Sequence, residues 1–200
     1  MTAPGQNMLV LGLTGSIGMG KSTTANLFHE EGVPVFDADA AVHDLYQGAA
    51  VPEIGKRFPN AVKNGIVDRA ALAQSVIGHA DALADLEKII HPLVRAAELD
   101  FIQHHRDHRS KFVLLDIPLL FESGGDALCD KIIVVTAPAD VQRERVLARD
   151  GMTPEKYDGL LARQMSDADK RAKADFIVFT DKGIEDARQQ IRKVLQNLNA

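Results

Sequence analysis

Five short runs along the chain are almost continuously apolar: "MLVLGL" at 8–13, "VPVFD" at 33–37, "FVLLDI" at 112–117, "KIIVVT" at 131–136 and "DFIVF" at 175–179. None shows the alternation of a half-exposed sheet, so the pattern predicts strands covered on both faces. Between them the apolar spacing turns helical. A helix is expected from Lys21 to Glu31, stopped by Gly32 at a left-handed C-cap, and another over 140–150. The C-terminal stretch places Ile184, Ala187, Ile191, Val194, Leu195 and Leu198 on one face of a third. Strand and helix in alternation predict an α/β fold with a five-stranded parallel sheet.

Two intervals break this rhythm. Between Ala40 and Lys111 the periodicity is helical and no strand is expected; Asp68 and Asp81 are placed as N-caps, and Pro92 is expected to begin a long helix. This predicts a helical insertion at 41–108. The polar stretch after Asp150, with Thr153-Pro154-Glu155 as a helix start, is expected to form a mobile lid at 151–171. The core then comprises 1–40, 109–150 and 172–200.

Composition adds bounds. A chain of 200 residues with 46% hydrophobic and 26% charged positions suits one domain with an insertion, and no run is long enough to cross a membrane. The net charge of −5 argues against a general nucleic-acid binder. The start "MTAPGQN" lacks the pattern of a signal peptide, and Cys129 is the sole cysteine; both lead to the expectation of a cytoplasmic protein with a short loose N-terminus.

The chemistry begins where the first strand ends. Gly15-Ser16-Ile17-Gly18-Met19-Gly20-Lys21-Ser22 satisfies G-x-x-x-x-G-K-[ST] between a strand and a helix, and Thr23 continues it. Such a P-loop turns backbone N–H groups and a helix N-terminus onto nucleotide phosphates. Lys21 would reach the β and γ phosphates and Ser22 would ligate Mg²⁺. A dinucleotide fingerprint starting at Gly18 would require glycine at Thr23 and fails. The Asp-x-x-Gly and Asn-Lys-x-Asp signals of a switch GTPase do not occur. A small-molecule kinase remains, with a P-loop ATPase driven by a partner as the alternative from another class.

A kinase needs an acceptor-side carboxylate, a metal and mobile cations. Asp37 and Asp39 follow the second strand, and an extended backbone would point both to one face; Asp39 is the expected base. Asp116 closes "FVLLD", where a Walker-B carboxylate contacts Mg²⁺. Arg143, Arg145 and Arg149 are expected on one helix, with Arg145 and Arg149 on one face of it, and together with Arg163 and Arg171 to close on a triphosphate; the pair Arg145 and Arg149 is favoured. His104, His105 and His108 lack further ligands at metal-binding spacing, and a solvated helix end is expected for them.

Taken together, "LTGSIGMGKST", "VFDADA", "IIHPLV", "DIPLLFESG", "VQRERVLARD" and "RQMSDADKRAKADFIV" resemble the dephospho-CoA kinase family over nearly the whole chain. The resemblance implies a three-layer P-loop core with a helical domain for the CoA moiety and a lid. It implies ATP and Mg²⁺ as cofactors, dephospho-CoA as the acceptor, and a monomer with no nucleic-acid or membrane partner. The reaction implied is phosphorylation of the ribose 3'-hydroxyl, the last step of coenzyme A synthesis; another nucleoside or nucleotide as acceptor is the nearer alternative. By the same resemblance Asp39 matches the proposed base. Arg69, His91 and Pro118 fall on the substrate side, and Gln142, Arg145 and Arg149 on the helix leading into the lid. The chain departs from the family pattern at Pro59, where a glycine often follows Phe58, and at Phe179, where an Asp is frequent before the adenine-side turn.

Overall fold

A computed structural model describes residues 8–199. The expected loose start "MTAPGQN" lies outside them. In chain order the elements are β1 (Leu9–Thr14), α1 (Lys21–Glu30), β2 (Val35–Asp37), α2 (Ala38–Leu45), α3 (Val51–Arg57), β3 (Val62–Lys63), β4 (Ile66–Val67), α4 (Arg69–Val76) and α5 (Ala80–Asp107). There follow β5 (Phe112–Asp116), β6 (Lys131–Thr136), α6 (Ala139–Leu147), α7 (Pro154–Leu161), α8 (Asp167–Ala172), β7 (Phe176–Phe179) and α9 (Ile184–Leu198). The chain divides into two compact units, one made of residues up to Phe36 and from His105 onward, the other of Asp37–His104.

All five predicted strands form, in one sheet of order β2-β5-β1-β6-β7. β1 runs parallel to β5 and β6, with Leu11 opposite Leu114 and Lys131, and β6 runs parallel to β7. β5 is buried along its whole length, as are all but the ends of β1 and β6, because helices cover both faces. The edge strands β2 and β7 are only partly covered. Leu13, Phe28, Leu114, Ile133, Val178 and Ile191 belong to the core of this unit. Ala187, Ile191 and Val194 of α9 face it as expected, whereas Ile184 is 60% exposed at the helix start. On the outer side of β7, Gln190 donates from Nε2 to the Phe179 carbonyl and accepts the Phe179 N–H at its Oε1, both at 2.9 Å.

The second unit has its own core, which includes Ile54, Phe58, Val67, Leu72, Leu86 and Ile90. Asp68 caps α4 as predicted, accepting the N–H groups of Ala70 and Ala71. Two expectations are corrected here. The interval is not free of strands: β3 and β4 form a small antiparallel hairpin. Its turn is Asn64-Gly65, with φ of 53° and 78°. Both values lie in the left-handed region that this residue pair supplies cheaply. Nor does Pro92 begin a helix. α5 runs through it as one 28-residue helix, with Asp81 inside the first turn. Proline removes one N–H from the helical ladder and orphans the carbonyl of Lys88. His91, Pro92 and Lys88 are all exposed, so that break faces water, while Leu86 and Ile90 stay buried and hold the helix together.

Candidate active site

The loop between β1 and α1 is built by close approach. A Cβ on Gly15 would lie 2.7 Å from the Val135 carbonyl oxygen, and one on Gly18 would lie 2.4 Å from Val146 Cγ2. Gly18 and Gly20 also hold φ of 80° and 90°, which side chains disfavour. Met19 is buried, and its Sδ accepts the Ala137 N–H at 3.1 Å. No side chain caps the start of α1. Its first-turn N–H groups, together with the positive end of the helix, therefore suit an anion.

The described contacts give several site residues definite partners. Lys21 Nζ lies 2.5 Å from Asp116 Oδ1 at the end of β5, with the Asp116 side chain only 5% exposed. Asp116 thus sits where a strand-end carboxylate was expected, charge-balanced by the lysine of the loop. A hard carboxylate oxygen and the exposed Ser22 hydroxyl at the head of α1 are the donor types that Mg²⁺ takes, usually with water and phosphate completing its shell. The Thr14 hydroxyl donates to the Pro118 carbonyl at 2.9 Å, tying the end of β1 to the loop after β5.

A cavity of about 310 Å³ opens beside the loop, lined by Gly18, Gly20, Thr23, Arg145, Arg149, Thr180 and Ile184 among others. Arg145 donates from Nη1 to Thr180 Oγ1 and from Nη2 to the Thr180 carbonyl, at 2.9 and 2.8 Å. Its guanidinium is therefore committed to the wall of this cavity. Arg149 lines the same space from beyond the end of α6 at Leu147, so it does not share a helix face with Arg145 as expected. Arg171 is paired with Asp167 one turn earlier in α8 at 2.7 Å, and Arg143 lies over the Tyr157 ring. Arg163 is exposed just after α7. The expected group of five arginines is thus divided: Arg145 and Arg149 line the cavity, while Arg143 and Arg171 have other local partners and Arg163 is exposed.

The carboxylates after β2 differ from expectation. The backbone at Asp39 is helical, so Asp37 and Asp39 are not alternate residues of one extended strand. Asp37 is the N-cap of α2, accepting the Ala40 N–H at 3.0 Å, and Asp39 is exposed in the first helical turn. The helix begins one residue after β2 because the Asp37 cap and the following alanines favour it. In the same unit Arg69 opens α4 and His91 lies midway along α5, both exposed. His104 and His105 fall in the last turns of α5, and His105 Nδ1 lies 3.3 Å from Ser110 Oγ. His108 follows the helix. Among the described residues no group of three or more His, Cys, Asp or Glu is arranged to hold a metal.

Sequence reasoning did not single out the contacts at the loop's apex. The Ile17 N–H donates to Gln164 Oε1 at 3.2 Å, and the Ile17 carbonyl accepts from Gln142 Nε2 at 2.8 Å. Gln142 is buried and accepts the Tyr157 hydroxyl. Glu122 holds the fully buried Lys170 with both oxygens, at 2.8 and 3.0 Å, and accepts the Met165 N–H at 2.8 Å. Burial pushes the Glu122 carboxyl up, but the hydrogen bonds from Lys170 and Met165 outweigh it and hold the group below its ordinary value. Periodicity cannot reveal such contacts, because each joins residues far apart in sequence through a single polar side chain.

The family model for dephospho-CoA kinase matches residues 9–186. The dephospho-CoA kinase of Mesorhizobium japonicum is 56% identical over 191 residues, covering 96% of this chain and 97% of that protein. That of Rhodopseudomonas palustris strain HaA2 is 54% identical over 188 residues, covering 94% of each. The solved structure of dephospho-CoA kinase from Campylobacter jejuni superposes with a TM-score of 0.69 at 28% identity, covering 96% of this chain and 97% of that one. A P-loop at the head of a five-stranded parallel sheet, and more than half the residues shared with proteins of that name over nearly their full length, establish that the chain belongs to the dephospho-CoA kinase family.

Proposed function

We propose that this protein transfers the γ-phosphoryl group of ATP to the ribose 3'-hydroxyl of dephospho-CoA, giving CoA and ADP, and so completes coenzyme A synthesis in the cytoplasm. The observation that carries the reading is the loop Gly15–Gly20, which opens onto an uncapped helix and presents Lys21 beside Asp116. Family membership supplies the acceptor.

In this reading the loop and the first turn of α1 bind the phosphates, and Lys21 leaves Asp116 to meet the β and γ oxygens. Ser22 and Asp116 would hold Mg²⁺, which supplies charge neutralisation to the phosphate oxygens when bound. Asp39, exposed in the first turn of α2, takes the proton from the acceptor hydroxyl. The acceptor oxygen then bonds to the γ-phosphorus as the bond to the β-phosphate oxygen breaks and ADP departs. Arg145 and Arg149 contribute positive charge on the nucleotide side, Arg145 by shaping the wall through Thr180. Arg69, His91 and Pro118 serve the acceptor, the helical segment 41–108 binds its CoA moiety, and 151–171 acts as a lid on a monomeric enzyme.

The test is ADP release from Mg²⁺ and ATP, with and without dephospho-CoA, with the product weighed by mass spectrometry. A product one phosphate heavier, formed only with ATP, is the expected result. ATP binding without that product would reject the acceptor and direct the search to other nucleosides and nucleotides.

A further inference from the structure

We propose that Gln164 is a positioning residue for the phosphate loop, holding its apex from the segment between α7 and α8. The inference rests on the reading that this loop binds the nucleotide phosphates.

The two peptide groups flanking Ile17 are each fixed by a different glutamine. The Ser16–Ile17 peptide offers its N–H to Gln164 Oε1 at 3.2 Å, while its carbonyl, on Ser16, accepts the Met19 N–H at 3.1 Å and closes the turn. The next peptide offers the Ile17 carbonyl to Gln142 Nε2 at 2.8 Å. In a trans peptide the N–H points opposite to the C=O, so the Gln142 bond also fixes the direction of the Gly18 N–H. This matters because Gly18 holds φ of 80° and has no side chain to restrict how its flanking peptides turn. The two glutamines remove that freedom in advance, and the loop does not lose it again on binding phosphate.

The two supports differ in origin. Gln142 is buried on α6 and fixed from behind by the Tyr157 hydroxyl. Gln164 lies in the short stretch between α7 and α8, and its position depends on how that stretch is anchored. The anchor is adjacent. The N–H of Met165 donates to Glu122 Oε1, and the same carboxylate grips Lys170, which is fully buried and lies 5.7 Å from the Phe121 ring. At the start of α8, Asp167 Oδ1 accepts the buried Thr136 hydroxyl at 2.8 Å. The loop after β5, the start of α8 and the apex of the phosphate loop thus form one chain of contacts, Glu122 to Met165, Gln164 and Ile17. Seating of residues 164–170 consequently sets how well the loop receives the outer phosphates.

The experiment replaces Gln164 with Met, which keeps length and loses the oxygen, and separately with Ala. Dissociation constants for ATP and for AMP are measured on the full chain without acceptor, beside the thermal midpoint. Loss of one hydrogen bond to the loop should weaken ATP binding about fivefold to tenfold. AMP binding and the thermal midpoint should stay essentially unchanged, since the apex serves the β and γ phosphates and Gln164 is only half-buried. ATP affinity within twofold of the unsubstituted chain in both variants would overturn the proposal, and so would an equal loss for ATP and AMP. The acceptor assigned above is judged separately, on CoA formation by the unsubstituted chain.

Discussion

Lys21 and Asp116 neutralise each other across 2.5 Å in a nearly buried place, so neither is a spectator when the other is replaced. Lys21→Ala removes the cation meant for the phosphates and the ion pair that it makes with Asp116. We expect ATP affinity to fall at least about tenfold, measured by calorimetry, with little CoA formed. Asp39→Asn should act differently. The nucleotide affinity should stay and turnover should drop by about 10²-fold or more, as on removal of a general base. Near-normal turnover by that variant would reject Asp39 as the base. Glu122 has a pH signature. Its carboxyl is held below the ordinary value of 4.5, so the stability it contributes is complete above pH 4.5 and is lost as the pH falls below that through the native value. Glu122→Gln leaves Lys170 charged and buried, at a cost of about 3 kcal/mol at pH 7. For a chain this long that corresponds to roughly 6–12 °C in the thermal midpoint. The gap from the unsubstituted protein should narrow below pH 4.5, and a gap that is constant with pH would show that charge is not its source.

At the scale of elements, β1 carries both the central pairing of the sheet and the approach to the loop. Gly12 in that strand faces Cys129 and Leu120, and an added Cβ would lie 2.6 Å from Cys129 Sγ and 3.0 Å from Leu120 Cδ2. Gly12→Ala should therefore destabilise by about 1–3 kcal/mol through overpacking, seen in chemical denaturation. Gly12→Ala with Cys129→Ala should recover part of the loss. The strands of the main sheet were legible because buried parallel strands write themselves as apolar runs. The helix starts at Asp68 and Thr153 were legible too, since capping depends on residues close in sequence. The hairpin at Asn64-Gly65 was also written locally, but each of its strands has two residues, too few for any periodicity to register. Pro92 misled for the opposite reason. The local rule was sound, and the tertiary burial of Leu86 and Ile90 on the far side of the helix prevailed.

For the whole molecule, the candidate site divides along the same line between local and distant information. The phosphate loop could be read directly because its function needs a fixed spacing of glycines, a lysine and a hydroxyl. The clamp on Ile17 could not: Gln142 and Gln164 lie in stretches that carry the family resemblance, but they stand 125 and 147 positions from Ile17 and nothing local says that they meet it. The sheet also has to end somewhere, and on the β7 side it ends in a side chain. Gln190 supplies an amide N–H and an amide oxygen to Phe179, the same pair of groups that another strand would offer. The outermost backbone is therefore occupied at Phe179, a 45% exposed aromatic that would otherwise invite a second molecule to add on. A glutamine that makes no claim on chemistry thus guards solubility: Gln190→Ala should leave turnover intact while concentrated solutions gain turbidity and higher-order species in light scattering.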